Sequence, residues 1–145
     1  MRGPLTNRPE ATPEALDRFL RQAFPELQVS VRVTGVGPGR VTLVQPFHRE
    51  HLRPGDTVSG PTLMTLADTA MYLLVLAHIG FEPMAVTAHL SIDFLRRPRA
   101  ADLVAEATLL KLGRSSAVGQ VLLRSEGEDA PVAAAQVTYA LPGGR

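Results

Sequence analysis

GPTLMTLADTAMYLLVLAHIG, residues 60–80, is one long apolar run with a single acid, Asp68, inside it. Pro61 suits the first turn of a helix and Gly80 ends one, so the stretch reads as a helix over 61–79. From Leu63 to Ile79 it is nearly long enough to cross a bilayer. The prolyl and glycyl punctuation, two threonines, the acid and His78 argue instead for a central buried helix, apolar on all sides, with no membrane span. A carboxylate taken out of water without a partner costs several kcal/mol. Asp68 therefore either escapes burial or has a task that offsets the cost.

The segments around this helix take their shape from it. Upstream, TPEALDRFLRQAF (12–24) reads as a short amphipathic helix, with Thr12 as N-cap, Pro13 at the first position and Glu14 favoured by the dipole. Leu16, Phe19, Leu20 and Ala23 form its apolar stripe. VSVRV (29–33) alternates as a strand, GVGPGR turns, and VTLVQPF is a second strand. HREHLRPGDTVS has no period and reads as a loop. Downstream the period becomes two: in AVTAHLSIDFL, Val86, Ala88, Leu90, Ile92 and Phe94 point one way, and Thr87, His89, Ser91 and Asp93 the other. Three more strands follow, near 102–111, 115–125 and 131–141, separated by polar turns. The order is helix, two strands, long helix, four strands. It predicts an α+β domain in which one antiparallel sheet wraps around one long central helix. The chain reads as a single domain over 1–145, with flexible flanks at 1–11 and 142–145.

Composition sets the outer limits. At 145 residues the chain is long enough for a substantial core, and 45% hydrophobic with 20% charged residues is ordinary for a globular domain. A net charge of +1 and 5% aromatics offer little to nucleic acid. Lys111 is the only lysine, so arginine clusters partly reflect a compositional bias. With no cysteine, disulfides and thiolate nucleophiles are excluded. The N-terminal residues lack an apolar core, so a signal peptide is not expected and the cytoplasm is the expected compartment. His48 and His51 are too few for a metal site, so none is expected. His78, near the helix end, suits the C-terminal dipole, and His89 suits a subunit contact.

Thr65 and Tyr72 lie at i−3 and i+4 from Asp68 and share its helix face. One reading is a structural acid bonded to those hydroxyls. The other is a general base or nucleophile, work for which a desolvated carboxylate is suited. The residues alone leave both open.

SGPTLMTLADTAMY, followed by TAHLSIDFLRRP and KLGRS, resembles the hotdog-fold acyl-CoA thioesterases of the phenylacetate-pathway and 4-hydroxybenzoyl-CoA type. The likeness covers roughly residues 40–140. It implies that Asp68 attacks a thioester carbonyl or activates water, that the Gly60 N–H polarises the carbonyl, and that Thr87 orients the water. It further implies an acyl-CoA substrate, no cofactor beyond the coenzyme A carried by that substrate, and a homodimer or homotetramer with its site at a dimer interface. Where those relatives carry His-Gly-Gly and an upstream amide, this chain has Ser59-Gly60-Pro61 and Arg53. Ser59, Arg53, Thr65 and Tyr72 are expected to line the substrate site, with Arg96, Arg97 and Arg114 on the coenzyme A phosphates. A non-catalytic acyl-CoA-binding protein of the same fold is the alternative.

Overall fold

A computed structural model describes residues 8, 10–25 and 31–144. Helix α1 (Pro13–Ala23) begins at Thr12, whose Oγ1 accepts from the Ala15 N–H at 3.1 Å, and it buries Leu16 and Leu20. Strands β1 (Arg32–Gly37) and β2 (Arg40–Gln45) form a hairpin. A 3₁₀ turn (Arg49–His51) and a small hairpin of β3 (Leu52–Arg53) and β4 (Thr57–Val58) lead into α2 (Gly60–Ile79). Strands β5 (Val86–Phe94), β6 (Leu103–Leu112), β7 (Ser116–Ser125) and β8 (Pro131–Ala140) complete one six-stranded antiparallel sheet, ordered β1-β2-β6-β7-β8-β5.

The sheet curves around α2, which is the core. Every residue from Ala70 to Ile79 is buried, so this end of the helix has no solvent face. The helix passes a length-and-hydropathy test for a membrane span, yet it is mostly covered by the strands of its own sheet. Gly119 on β7 leaves no room for a side chain against the helix: a Cβ there would stand 2.5 Å from Met71 Sδ and 3.1 Å from the Thr108 carbonyl oxygen. A glycine inside a strand marks such a place. At the far end of α2, His78 is locked between two backbone groups. Its Nδ1 lies 3.0 Å from Leu74 O, and its Nε2 accepts from the Gly39 N–H at 3.0 Å. Arg8 adds a strap, donating from its backbone N–H to Ala77 O at 2.8 Å and from its guanidinium to His78 O and Ile79 O.

Three local expectations need correction. The turn expected over GVGPGR is shorter, because β1 runs through Gly35–Gly37 with a bulge after Val33, leaving Pro38-Gly39 to turn. The loop expected at residues 48–59 contains the β3/β4 hairpin, whose pairs are too short to show a period. The strict alternation expected along β5, which sets Thr87 on the face opposite Leu90 and Ile92, fails at Thr87. A bulge between Thr87 and His89 shifts the register against β8 and turns Thr87 toward α2, while Leu90 and Ile92 still pack inward. A bulge adds one residue to a strand and so breaks strict alternation. Residues 29–30 of the expected first strand, and most of the flanks expected to be flexible, lie outside the described residues.

Candidate active site

Asp68 sits in the third turn of α2, half-buried, where the helix emerges from beneath the sheet. Its Oδ1 accepts two hydrogen bonds, from Thr87 Oγ1 at 2.6 Å and from the Tyr139 hydroxyl at 2.9 Å. The same hydroxyl lies 3.2 Å from the Asp68 backbone oxygen. Oδ2 has no hydrogen-bond partner among the described residues. The hydroxyls of Thr65 and Tyr72, which the helical spacing offers, do not hold the acid. The Thr87 hydroxyl reaches it from β5 through the bulge, and Tyr139 from the neighbouring strand β8.

The acid opens into a cavity of about 490 Å³ that is lined by Leu20, Phe24, Tyr72 and Val86, with Thr65 and Thr87 at its polar side. Phe24 meets Tyr72 edge to face with centroids 5.5 Å apart, and Tyr72 lies 6.0 Å from Tyr139. This is an apolar, aromatic chamber with one carboxylate at its wall. Burial pushes the Tyr139 phenol far above the usual range; the Thr87 hydrogen bond opposes that shift and the Asp68 charge adds to it. Burial likewise raises Tyr72, helped by Glu82, and the Tyr72 hydroxyl has no partner among the described residues.

The N-terminus of α2 faces a different cavity, of about 510 Å³, lined by Gly60, Arg53, Arg96, Arg97 and Phe94. The first turn of a helix leaves its N–H groups unpaired. Here Thr62 N–H goes to Ser59 Oγ at 3.3 Å, Leu63 N–H goes to Ser59 O at 3.2 Å, and Pro61 has none. The Gly60 N–H is the donor left over among the described residues, at the positive end of the helix dipole. Ser59, expected to line the substrate site, serves as the N-cap.

The expected arginines part company. Arg53 from β3 and Arg96 and Arg97 after β5 converge on the Gly60 cavity, although the Arg96 guanidinium also donates to Pro131 O. Arg99, which follows Arg96 and Arg97 in the same turn and is not among the expected residues, points to Glu128, at 2.5 Å, and to Glu126 O. Arg114 lies elsewhere. It precedes Ser116, which pairs with Ala140 and so sits at the Val86 end of β5, roughly 27 Å along that strand, at about 3.4 Å per residue, from the Phe94 end that leads on to Arg96. His48 and His51 meet edge to face at 5.3 Å, outside both cavities. Burial lowers the basicity of His51, and the neighbouring His48 adds to that. Burial lowers that of His78 as well.

Tyr139 carries no sequence signal of a role: an aromatic at a period-two position of a strand reads as core. Only the packing of β8 against α2 brings it to the acid.

A sequence model of the thioesterase superfamily matches residues 55–132, the segment that runs from the turn before α2 to the start of β8. The chain belongs to the thioesterase superfamily. Among solved structures it is similar to a candidate thioesterase from a Silicibacter species, with 45% identity over 90% of this chain and 91% of that one, and a TM-score of 0.82. A mutant of the phenylacetic acid degradation protein of Thermus thermophilus shares 26% identity over 83% of this chain and 96% of that one, with a TM-score of 0.67. A thioesterase from Haemophilus influenzae, 22% identical over 94% of this chain and 93% of that one, shares the fold with a TM-score of 0.79. No curated protein matches. The sheet-wrapped helix is the hotdog fold, and the chain is a thioester hydrolase.

Proposed function

We propose that this thioesterase hydrolyses acyl-CoA thioesters with Asp68 as the reacting carboxylate and the Gly60 N–H of a second copy as the carbonyl-polarising donor. The observation that carries the reading is the Asp68 carboxylate: one oxygen is held by two hydroxyls and the other is left bare beside an apolar chamber.

Chain arithmetic supports the second copy. Gly60 and Asp68 are eight residues apart, about 12 Å along the helix axis. A carbonyl whose oxygen sits on the N–H and whose carbon meets the acid spans roughly half that distance at hydrogen-bond and near-attack lengths. One helix cannot supply both, whereas two helices side by side and antiparallel bring the Gly60 of each to the Asp68 of the other. Strand β5 is an edge of the sheet, nine residues long, and Val86 and Phe94 on it are more than half exposed. Met64, on the exposed flank of α2, and Leu95 extend this apolar strip. A long apolar edge is one that proteins cover, and a homodimer through β5 and α2 covers it.

In the assembled site the carbonyl oxygen lies on the Gly60 N–H, the acyl group enters the Phe24–Tyr72 chamber, and the coenzyme A arm runs toward Arg53, Arg96 and Arg97. These guanidinium groups suit phosphate by charge and geometry. Asp68 Oδ2 attacks the carbonyl carbon or takes a proton from an attacking water. The oxyanion is met by the N–H and the positive helix end. The C–S bond then breaks, and the coenzyme A sulfur leaves and gains a proton. On the water route this frees the acid directly; on the attack route a water cleaves the acyl–Asp68 anhydride, which frees the acid and restores the carboxylate. No step calls on a cofactor, and the expected compartment is the cytoplasm.

Coenzyme A release from acetyl-, octanoyl- and benzoyl-CoA, for the native protein and Asp68→Asn, tests the reading. A fall of about a hundredfold or more in the variant supports it, since that is the scale of a lost acid–base group. An unchanged rate rules out Asp68 as the reacting group.

A further inference from the structure

We propose that Tyr139 is a positioning residue for hydrolysis: its phenol fixes Asp68 Oδ1 so that Oδ2 alone faces the substrate carbonyl. The proposal rests on the reading of Asp68 as the reacting carboxylate. The terminal torsion of an aspartate is broad and roughly two-fold, so an unrestrained carboxylate exchanges its two oxygens freely. Here both donors converge on one oxygen, Thr87 Oγ1 at 2.6 Å and Tyr139 OH at 2.9 Å. An ionised carboxylate only accepts, so Oδ1 is occupied by the two donors while Oδ2 keeps its lone pairs for chemistry.

The two donors are not equivalent. Thr87 comes from an exposed edge strand and depends on a bulge for its direction. Tyr139 is 3% exposed, lies in an interior strand and packs beside Tyr72. Its hydroxyl also lies within 3.2 Å of the Asp68 backbone oxygen, so one rigid phenol gauges both the side chain and the helix that carries it. Burial keeps the phenol protonated, hence a donor, throughout the working pH range. Groups that must be held to fractions of an ångström are set by buried partners of this kind.

The test compares the native protein, Tyr139→Phe, Asp68→Asn and the double variant, with the panel member hydrolysed fastest among acetyl-, octanoyl- and benzoyl-CoA. Thermal melts show whether each is folded. Tyr139→Phe is expected to lower kcat about ten- to hundredfold with KM within about twofold, as for a displaced reacting group. In the Asp68→Asn background the same change is expected to cost nothing more, because the two residues act as one unit. If Tyr139→Phe leaves kcat unchanged while Asp68→Asn abolishes it, the positioning role is overturned and the reading of Asp68 stands. Equal losses from Tyr139→Phe in both backgrounds also overturn it, since the phenol then acts through something other than the acid. A native rate in Asp68→Asn overturns both.

Discussion

Gly60→Ala separates what the fold needs from what the chemistry needs. A Cβ at Gly60 would meet Phe94 Cζ at 3.5 Å and Cε1 at 3.6 Å, which is ordinary van der Waals contact. Gly60 is not among the residues with positive φ, so an L side chain is not strained there. Alanine also lowers the entropy of the unfolded chain and has the higher helix propensity, each favourable by up to about 1 kcal/mol. Stability should therefore hold or rise by a few tenths of a kcal/mol to about 1 kcal/mol. Activity should move the other way. The new methyl stands beside the one first-turn N–H left without a partner among the described residues, which the proposed site brings to the thioester oxygen. Alanine keeps the N–H but crowds it, and the upper limit of the effect is that of losing one such donor, roughly 10²–10³ in rate or about 3–4 kcal/mol. The assay pairs a thermal melt with kcat/KM on the same acyl-CoA panel. A variant as stable as the native protein and at least tenfold slower fits the reasoning. One that is equally stable and equally fast removes Gly60 from the site, and the two-copy geometry goes with it.

Gly119→Ala should give the opposite signature: the Cβ would press on Met71, which is 0% exposed, and on a backbone oxygen of the neighbouring strand, and overpacking of this kind costs about 1–3 kcal/mol. A melting temperature within about 1 °C of native would show that Met71 can step aside. Tyr72→Phe should leave stability unchanged or raise it, because an unpaired buried hydroxyl costs about 1–3 kcal/mol; a loss above about 1 kcal/mol in denaturant melts would mean that a second copy supplies its partner. His78 must be neutral to accept from Gly39, and burial lowers its folded pKa below the unfolded 6.5. Its contribution is therefore complete above pH 6.5 and lost as pH falls below it, at up to about 1.4 kcal/mol per pH unit until the folded protein also takes the proton. His51 shifts the same way, so the test is the unfolding free energy of His51→Gln between pH 8 and 5, and a flat profile would refute the assignment to His78.

The fold was legible in the sequence where one local signal ran uninterrupted. The helix over α2 announces itself because the chain stays predominantly apolar from Leu63 to Ile79, between a proline and a glycine. Strands β6 to β8 follow from alternation between polar turns. Legibility failed where the chain inserts an extra residue or uses very short pairs. The β5 bulge looks like ordinary alternation until its register against β8 is seen, since AVTAHLSIDFL reads equally well in either phase around Ala88. The β3/β4 hairpin has only two residues per strand, too few to carry a period.

The site divides along the same line. Asp68 is conspicuous because a carboxylate inside an apolar helix carries a cost that must be answered, and that cost is visible in one dimension. What answers it is not. Tyr139 lies 71 residues away and Thr87 lies 19 away, and each reaches the acid from a different strand of the sheet that wraps α2. The arginines teach the same lesson in reverse. Arg96, Arg97 and Arg114 look alike as basic residues in turns, yet antiparallel pairing sends Arg114 to the opposite end of the sheet, while a two-residue hairpin brings in Arg53 from 43 positions upstream of Arg96. Sequence spacing places groups on one helix face well, because the helix has a fixed pitch. It cannot place groups that a sheet assembles. Asp68 is of the first kind and the residues that hold it are of the second, so a carboxylate in an unexpected place is the feature to look for first. Strand order is then what identifies the residues that hold it.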